Sequence, residues 1–230
     1  MRLIHNLRNS RLSPPAGGAN LRLRPDARDL PMSDRNTAGL TAHPITFRLP
    51  GGEAVTVRPI RPDDADRLQD YLRGLSPQSR RNRFLGAVSE LSPREIERLT
   101  RMDRSGELAL VAFADRHDGR MIAEAIHVMA PASARCEFAL SVADGWQRRG
   151  VGTLLLRMIE CRAQLIGARH LFGDVLRDNA AMKGLARKRT FSLHGPVTDA
   201  RLVEIVKDLT LPQSGPPCDE RFAQLRPIAA

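Results

Sequence analysis

The stretch Cys136–Gln164, CEFALSVADGWQRRGVGTLLLRMIECRAQ, decides how this chain folds. Its first seven residues are mostly apolar and predict a strand, and the residues from Leu154 onward have the spacing of an amphipathic helix. Between them, Gly150 and Gly152 mark a tight turn at the start of the helix. The first N–H groups of a helix have no partner within it and lie at the positive end of its dipole. The sequence therefore predicts a binding site for an anion such as phosphate.

The turn itself, Gln147–Gly152, reads Q-x-x-G-x-G. It lacks the Lys-Ser/Thr pair of a Walker loop and the first glycine of the G-x-G-x-x-G dinucleotide fingerprint. The turn resembles the pyrophosphate-binding motif of the GNAT acyltransferase superfamily, Q/R-x-x-G-x-G/A, which cradles the diphosphate of acetyl-CoA. The alternative is an ordinary strand–turn–helix unit in which glycine serves the turn alone.

Other stretches extend the resemblance over about residues 45–210. Val57–Ala65 looks like the opening strand and helix start of these enzymes, and Asp178–Lys188 looks like their second cofactor-contacting helix. The resemblance is closest to the GNAT domains of bacterial protein-lysine acetyltransferases. These share the phrases RPIRPDDA, GLSPQSR and ELSPRE and a glutamate in the strand before the phosphate loop. The resemblance implies an α/β fold with a mixed, mostly antiparallel central sheet flanked by helices.

We expect one GNAT acetyltransferase domain over residues 44–211. Residues 1–43 are rich in Arg, Pro, Gly, Asn and Ser and have no sustained periodicity, so we interpret them as a disordered or loosely attached basic tail. A start at Met32 is an alternative that would leave residues 1–31 outside the mature protein. Residues 212–230 are rich in proline and are interpreted as a C-terminal tail.

Apolar alternation, glycine turns and Ser-Pro pairs predict the order of the elements. We expect a hairpin over 45–57, a helix over 62–75, helices capped by Ser76 and Ser92, strands over 108–114, 121–129, 135–142 and 170–175, a helix at Asn179 and a strand over 202–211. The strand at 170–175 should run parallel to the one before the long helix. The segment 202–211 fits strand or helix by pattern, and the resemblance favours a strand.

Length and composition fit one enzyme-sized domain with tails, since the chain has 230 residues of which 42% are hydrophobic. No apolar run is long enough to span a membrane, so we do not expect an integral membrane protein. The net charge of +10 favours acidic partners such as CoA phosphates, nucleic acid or an acidic protein face. Aromatic residues make up only 4% of the chain and offer no stacking platform, so nucleic acid is not indicated.

The three cysteines, Cys136, Cys161 and Cys218, lie far apart and form no C-x-x-C pair. Together with six scattered histidines they show no ligand spacing for zinc, and we expect no metal site. An odd number of cysteines without a secretory signal leads us to expect the reducing cytoplasm. Cys136 in a strand and Cys161 on the apolar helix are interpreted as small buried side chains.

Direct acyl transfer to an amine needs a thioester, an amine that has lost its proton, and stabilisation of the oxyanion. Because an alkyl ammonium has a pKa near ~10.4, a base must take a proton at neutral pH. Glu137 is our candidate, since it interrupts an apolar strand just before the phosphate loop and related lysine acetyltransferases place their base at the matching position. Glu124 and Asp174 are the substitutes. The alternative for Glu137 is a solvent-facing position paired with an arginine such as Arg135.

The resemblance implies acetyl-CoA as co-substrate, with its pantetheine along the strand before the turn and a backbone N–H of that strand meeting the oxyanion. The pyrophosphate would lie on the turn, and the CoA arm would meet the first residue of the later helix. The residues so implied are Leu140, Ser141, Val142, Gln147, Arg148, Arg149, Gly150, Val151, Gly152, Thr153 and Asn179. The alternatives are core packing for the strand residues, solvated side chains for the two arginines and a helix N-cap for the asparagine.

Two positions depart from the family pattern. The family usually ends the later helix with Gly-Phe, where this chain has Thr190-Phe191, and many members place a tyrosine general acid where this chain has Ala186. CoA leaves as a thiolate, and a thiol pKa near ~8.5 makes it a tolerable leaving group without a proton donor. The one tyrosine of the chain, Tyr71, lies on the first predicted helix, so we predict that no tyrosine acts as general acid.

The sequence predicts a cytoplasmic, acetyl-CoA-dependent N-acetyltransferase that acts on a primary amine, with a protein lysine as the first choice of acceptor. Two alternatives stay open. One is an acetyltransferase for a small-molecule amine, and the other is a non-catalytic CoA-binding or interaction module, suggested by Ala186 and Thr190.

Overall fold

The computed structural model describes residues 44–102, 106–115, 119–129, 134–195, 199–211 and 218. These residues form an eight-stranded sheet with five α-helices. The strands are β1 Ile45–Arg48, β2 Ala54–Pro59, β3 Glu107–Ala114, β4 Arg120–Met129, β5 Arg135–Val142, β6 His170–Leu176, β7 Ser192–His194 and β8 Leu202–Asp208. The helices are α1 Ala65–Gly74, α2 Pro77–Phe84, α3 Pro93–Thr100, α4 Val151–Leu165 and α5 Ala180–Lys188.

The strands lie in the order β1-β2-β3-β4-β5-β6-β8-β7, and all neighbours are antiparallel except β5 and β6. The parallel pair is joined by α4, because parallel neighbours need a crossover connection, which is usually a helix. The predicted fold class, a mixed and mostly antiparallel sheet flanked by helices, is confirmed. The parallel course of the strand after the long helix is confirmed as well.

Helices cover the sheet on both faces, and each face has its own apolar core. α4 buries Leu155 and Ile159 completely in one core, and α1 and α3 bury Leu68 and Leu99 in the other. Burying each such side chain contributes roughly 1.5–3 kcal/mol relative to exposure. Cys136, Phe138, Leu140 and Val142 of β5 belong to the first core, while Ala139 on the opposite face packs against the second, so both layers contact this strand.

The predicted helix starts at the two Ser-Pro pairs are confirmed. The Ser76 hydroxyl accepts a backbone N–H three residues on at 3.2 Å, and Ser92 exchanges a capping box with Glu95. Proline follows each serine as the first helical residue, where a missing N–H leaves no helical bond unmade. The last predicted segment is a strand, and it ends at Asp208, whose carboxylate accepts the N–H of Thr210 at 2.8 Å.

The helix predicted over 62–75 begins with a separate 3-10 turn, Pro62–Asp64, before α1. The cause is Asp64, which is fully buried and accepts two nitrogens of Arg58 at 2.6 and 2.7 Å. The same carboxylate accepts the N–H of Arg61 at 2.8 Å. Because its side chain turns inward, the first turn is tightened and β2 is tied to α1.

The strand β7 was not predicted, because its three residues are too few to show alternation. The predicted tails, 1–43 and 212–230, lie outside the described residues apart from Cys218, so the domain boundaries stay predictions. Within the part of the chain that the structure describes, no helix has both the length and the apolar character needed to cross a bilayer.

Cys161 is buried, as predicted, but it forms a disulfide with Cys218, so its interpretation as a simple buried thiol is corrected. The two residues are 57 positions apart, and no local pattern indicated the pair. Cys136 keeps a free thiol in the core, 3.5 Å from Nδ1 of His127. Burial raises the pKa of this thiol to about 12 and lowers the pKa of His127 to about 3, so both groups are neutral at pH 7.

The buried pair of Arg58 and Asp64 can be tested through stability. Asp64→Asn should lower the free energy of unfolding by about 3–5 kcal/mol at pH 7, because the buried guanidinium loses its charge partner. Burial alone would raise the pKa of Asp64, but hydrogen bonds from Arg58 and Arg61 hold it below its ordinary 3.8. The pair therefore stabilises the fold fully above about pH 4, and its contribution is lost as the pH falls through the lowered folded pKa.

Urea unfolding of the wild type and of Asp64→Asn, at pH 7 and in acid, measures this contribution. The surface pair of Arg201 and Asp199 provides the matched control, and Asp199→Asn should change stability little. An Asp64→Asn variant as stable as this control at pH 7 would contradict the prediction.

Candidate active site

The pairing of β5 with β6 stops part-way along β5. Register partners join only its first three residues, Arg135–Glu137, to β6. On the other side, β5 stays paired with β4 as far as Val142. Among the described residues, the segment Phe138–Val142 therefore has a strand neighbour on one side only, and the opening beside it is termed the β5–β6 gap.

Backbone groups along Phe138–Val142, here termed the open half of β5, point alternately to β4 and into the β5–β6 gap. The N–H of Ala143 donates to the carbonyl of Ile122 in β4 at 2.8 Å. Counting back in steps of two, the N–H of Ser141 also points to β4, whereas the N–H groups of Leu140 and Val142 point into the β5–β6 gap. Such ladder donors can pair with a ligand that lies extended along the strand.

The turn between β5 and α4 presents further backbone N–H groups. Gly150 has a φ of 99°, a left-handed conformation that favours glycine. The first helical bond of α4 runs from the N–H of Leu154 to the carbonyl of Gly150 at 2.9 Å. The N–H groups of Val151, Gly152 and Thr153 precede that ladder, at the positive end of the helix dipole. The strand, turn and helix start that the sequence predicts are all present, and anion binding at this turn stays a prediction.

Gly152 lies where this turn meets the β5–β6 gap. A Cβ at this position would be 3.7 Å from a methyl group of Val142 on β5 and 3.5 Å from a methyl group of Leu185 on α5. A larger side chain here would therefore enter the space between β5 and α5.

The side chain of Gln147 braces the turn. Its Nε2 donates to the carbonyl of Val142 and to the hydroxyl of Ser79, both at 3.1 Å. Asp144 accepts from the N–H and hydroxyl of Ser76 and from the Ser79 hydroxyl. Burial would raise the pKa of Asp144, but these hydrogen bonds keep it below its ordinary value. Ser79 and Asp144 were not among the predicted site residues, and the shared phrase GLSPQSR was the available signal for Ser79.

The two arginines of the turn are surface groups. Arg149 pairs with Glu53 at 3.0 Å, and its guanidinium lies 5.2 Å from the centroid of the Trp146 ring. Arg148 has a φ of 61° and an exposed side chain. The case for an anion at this turn therefore rests on the backbone N–H groups more than on either arginine.

Asn179 is the N-cap of α5. Its side-chain oxygen accepts the N–H of Met182 at 3.0 Å, so the N-cap alternative is confirmed. The amide nitrogen of Asn179 is the end that can donate to a ligand. The preceding residue, Asp178, pairs with Arg81 of α2 at 2.8 Å, which ties the start of α5 to α2.

Glu137 is the last residue of β5 that pairs with β6, so it lies where the β5–β6 gap begins. Its side chain is partly buried. It shares a face of the sheet with its register partner Phe172 and with Asp174, two residues along β6. Arg135, the alternative partner of Glu137, donates to Glu204 at 2.9 Å. The candidate base and one of its substitutes thus share the sheet face beside the gap.

Glu124, the other substitute base, is enclosed in the protein. It is 4% exposed and accepts Nε and Nη2 of Arg83 at 2.5 and 3.1 Å. The hydroxyl of Ser141 donates to it at 2.6 Å. An amine arriving from solvent has no direct path to this carboxylate, so Glu137 is retained as the candidate.

Tyr71 lies close to β5, a contact that joins residues 70 positions apart and that no local pattern in the sequence indicates. It is 6% exposed on α1, and its hydroxyl is 2.9 Å from Oγ of Ser141. The buried face of α1 therefore docks on the sheet next to the open half of β5.

The two departures from the family pattern have structural explanations. Thr190 has a φ of 62°, a region that glycine adopts freely and a β-branched residue occupies at a cost of about 1–3 kcal/mol. Ala186 is completely buried in the core beneath α5. The first departure thus changes backbone strain and the second changes core packing.

Similarity to known proteins identifies the family. A family model described as the acetyltransferase (GNAT) family matches residues 78–191. An acetyltransferase of Pseudomonas aeruginosa is 32% identical over 139 residues, which cover 60% of this chain and 74% of the relative. This chain belongs to the GNAT acetyltransferase family. The resemblance seen in the sequence is thereby confirmed.

Two further relatives support this GNAT assignment. Acetyltransferase Pat of Mycolicibacterium smegmatis is 28% identical over 141 residues, which cover 61% of this chain and 42% of Pat. The GNAT domain of S. lividans PAT has a TM-score of 0.66 and 27% identity, over 76% of this chain and 99% of that domain.

A cAMP-binding acyltransferase from Mycobacterium smegmatis shares the fold of this GNAT chain, with a TM-score of 0.55 and 24% identity. The match covers 80% of this chain and 52% of that protein. The architecture is therefore a GNAT fold. With acetyltransferases as its relatives, the protein is an acyltransferase.

A bulky side chain at the turn tests whether this GNAT protein binds acetyl-CoA there. Gly150→Val and Gly152→Val should each weaken acetyl-CoA binding at least about tenfold, because the added methyl groups displace the pyrophosphate from the backbone N–H groups. Titration calorimetry on folded variants measures the affinity.

Gly74→Val is the matched control, since Gly74 is helical and a Cβ there meets only Nη2 of Arg120 within 4 Å, at 3.8 Å. Gly150 has a positive φ, so its valine variant also carries backbone strain. Gly152 has no positive φ and is therefore the decisive position. Wild-type affinity in both turn variants would remove the turn as the binding site.

Proposed function

We propose that this protein transfers an acetyl group from acetyl-CoA directly to a primary amine, and that a protein lysine is its acceptor. The observation that carries the proposal is the β5–β6 gap, which begins at Glu137 and has the N-terminus of α4 beside it. One opening thus offers backbone donors for the thioester arm, an anion-binding turn for the pyrophosphate and a carboxylate for the amine.

The residues around the gap fit acetyl-CoA. The N–H groups of Leu140 and Val142 lie along the open edge of β5, where an extended pantetheine would pair as an added strand. The N–H groups of Val151, Gly152 and Thr153 would hold the pyrophosphate. When bound, acetyl-CoA supplies an acyl group that is activated as a thioester.

Glu137 would take the proton that the amine must lose. An alkyl ammonium with a pKa near ~10.4 is almost fully charged at neutral pH and cannot attack until it is deprotonated. The carboxylate of Glu137 lies at the start of the gap and is partly open to solvent, so it can meet the incoming ammonium and pass the proton on. An N–H of Leu140 or Val142 would donate to the oxygen that gains charge during attack.

Charge on the face around Glu137 supports a cationic acceptor. Asp174 and Glu204 are register partners on β6 and β8, on the same face as Glu137, although Arg135 neutralises part of the Glu204 charge. These carboxylates would attract an ammonium group towards the gap.

The choice of a protein lysine rests on similarity. The sequence resembles bacterial protein-lysine acetyltransferases, and the chain is similar to S. lividans PAT and to the acetyltransferase Pat. A small cationic amine is the second candidate, because the same carboxylates would attract it.

Release of free thiol from acetyl-CoA tests the activity and the acceptor together. Lysine peptides, intact proteins, polyamines and small amines are offered separately to the full chain. Turnover with lysine peptides or proteins supports the proposal, and turnover with polyamines alone would establish the second candidate instead. If none of the amines in the panel causes thiol release, amine acetylation is contradicted.

Glu137→Gln tests the base. The variant should lower kcat by about 10²–10⁴-fold and change acetyl-CoA affinity little, because an amide cannot take the proton while the turn and β5 stay intact. It should recover activity at higher pH, where more of the amine is already neutral. A pH series of kcat and a calorimetric Kd measure the two effects.

Glu107→Gln is the matched control for this variant. Glu107 is also a partly buried strand glutamate. It lies on β3, two strands away from β5, and Val128 of β4 is the register partner of both Glu107 and Glu137. It should keep wild-type turnover. Full activity of Glu137→Gln at neutral pH would transfer the role to Asp174 or to solvent.

A further inference from the structure

Four buried polar side chains from four different elements meet on one face of the sheet beside the open half of β5. They are Tyr71 of α1, Arg83 of α2, Glu124 of β4 and Ser141 of β5, here termed the buried tetrad. Each is at most 8% exposed. The contacts are Tyr71 Oη to Ser141 Oγ at 2.9 Å, Ser141 Oγ to Glu124 at 2.6 Å, and Arg83 to Glu124 at 2.5 and 3.1 Å.

The chemistry of Glu124 fixes the direction of these hydrogen bonds. An ionised carboxylate only accepts, so Ser141 donates its one hydroxyl proton to Glu124. Ser141 Oγ then accepts from Tyr71. Burial and the charge of Glu124 raise the pKa of Tyr71 well above its ordinary value, so the phenol stays protonated. The phenolic proton is therefore engaged within the tetrad.

Ser141 lies between Leu140 and Val142, the two residues whose N–H groups point into the β5–β6 gap. The open half of β5 has no β6 partner, so its orientation depends on β4 and on side-chain contacts. The tetrad supplies such contacts at the central residue of this segment. A rotation of the backbone at Ser141 would turn both neighbouring N–H groups away from a ligand in the gap.

Stability alone does not explain the tetrad. Replacing a buried ion pair by apolar side chains of similar volume is often neutral or stabilising, because taking two charges out of water costs about as much as their attraction returns. The tetrad also leaves Nη1 of Arg83 buried without a hydrogen-bond partner among the described residues. Both facts favour a role in geometry over a role in stability.

We propose that the buried tetrad positions β5 for acyl transfer. By holding Ser141, it keeps the N–H groups of Leu140 and Val142 directed at the bound thioester. Its four members act as positioning residues, since their side chains are buried and hydrogen-bonded to one another. The inference rests on the proposed function, because acetyl transfer is the step that the tetrad serves.

Ser141→Ala removes the central hydroxyl. We expect kcat to fall about tenfold with the KM for acetyl-CoA within about twofold, because misdirected donors impair the acyl-transfer step and leave the pyrophosphate turn intact. Ser141→Thr keeps a hydroxyl and should recover most of the loss. Tyr71→Phe should lose less than Ser141→Ala, since Ser141 keeps its bond to Glu124. In these variants, the dependence of kcat on pH should have its rising and falling limbs at the same pH as in the wild type, because no proton donor or acceptor of the reaction has changed.

Two variants control for the loss of a buried polar group elsewhere. Thr100→Ala removes a 4% exposed hydroxyl that donates to a backbone carbonyl at 3.0 Å. Glu160→Gln changes a 4% exposed carboxylate that has two cationic partners on the opposite face of the sheet. Both should keep wild-type kcat, whereas Glu124→Gln should lose about as much as Ser141→Ala.

Hydrogen exchange gives a readout that does not need turnover. In Ser141→Ala, the amides over 139–143 should exchange faster than in the wild type, and those of β3 should not change. Wild-type kcat in Ser141→Ala would overturn the proposal whatever the exchange shows. A shifted limb in the pH profile of Tyr71→Phe would also overturn it, in favour of proton donation. If the wild type acetylates no amine, the proposed function is contradicted instead. In that case, unchanged hydrogen exchange over 139–143 in Ser141→Ala would by itself overturn the positioning role.

Discussion

Interrupted pairing between β5 and β6 is the constraint on which the site depends. β5 is paired with β4 as far as Val142, but only its first three residues are paired with β6. Backbone polar groups inside a protein need partners, so an open half-strand persists only where something else satisfies it. Gln147 satisfies the carbonyl of Val142. The N–H groups of Leu140 and Val142 face the gap, and α4 begins at the same place with N–H groups that precede its own hydrogen-bond ladder. Strand edge and helix start therefore present donors to one opening.

The two faces of the sheet contribute different things to this opening. On one face, α4 packs apolar residues such as Leu155 and Ile159 against the strands, which anchors the helix whose N-terminus forms the turn. On the other face, polar residues concentrate along β4, β5 and β6, with the buried tetrad under the helices and Glu137 and Asp174 beside the gap. An apolar layer holds the helix that follows the glycine turn in place, while the polar layer places hydrogen-bonded and charged side chains along β5 and beside the gap.

The features that could be predicted from the sequence depend on residues close together in the chain, and those that were missed depend on residues far apart in it. The stretch Cys136–Gln164 encodes strand, turn and helix in one continuous run, and the structure has all three. The caps at Ser76 and Ser92 were predictable because capping joins residues three positions apart. The buried tetrad joins residues 17, 41 and 70 positions apart, and no local pattern encodes such partners. The same holds for the disulfide of Cys161 with Cys218. A Glu inside an apolar strand was visible as unusual at both Glu124 and Glu137, but only the fold shows which of them is enclosed.

The position of the one tyrosine bears on how CoA leaves. Ala186 stands where many family members carry a tyrosine and is completely buried here. The phenol of Tyr71 donates to Ser141, whose own proton is held by Glu124. To protonate a leaving group, Tyr71 would have to abandon a buried hydrogen bond and leave Ser141 Oγ without a donor, at a cost of about 1–3 kcal/mol. A thiol with a pKa near ~8.5 departs readily as a thiolate, so this cost would gain little. The arrangement therefore favours a mechanism in which a carboxylate removes a proton and backbone donors stabilise charge, with no side-chain acid required at the sulfur.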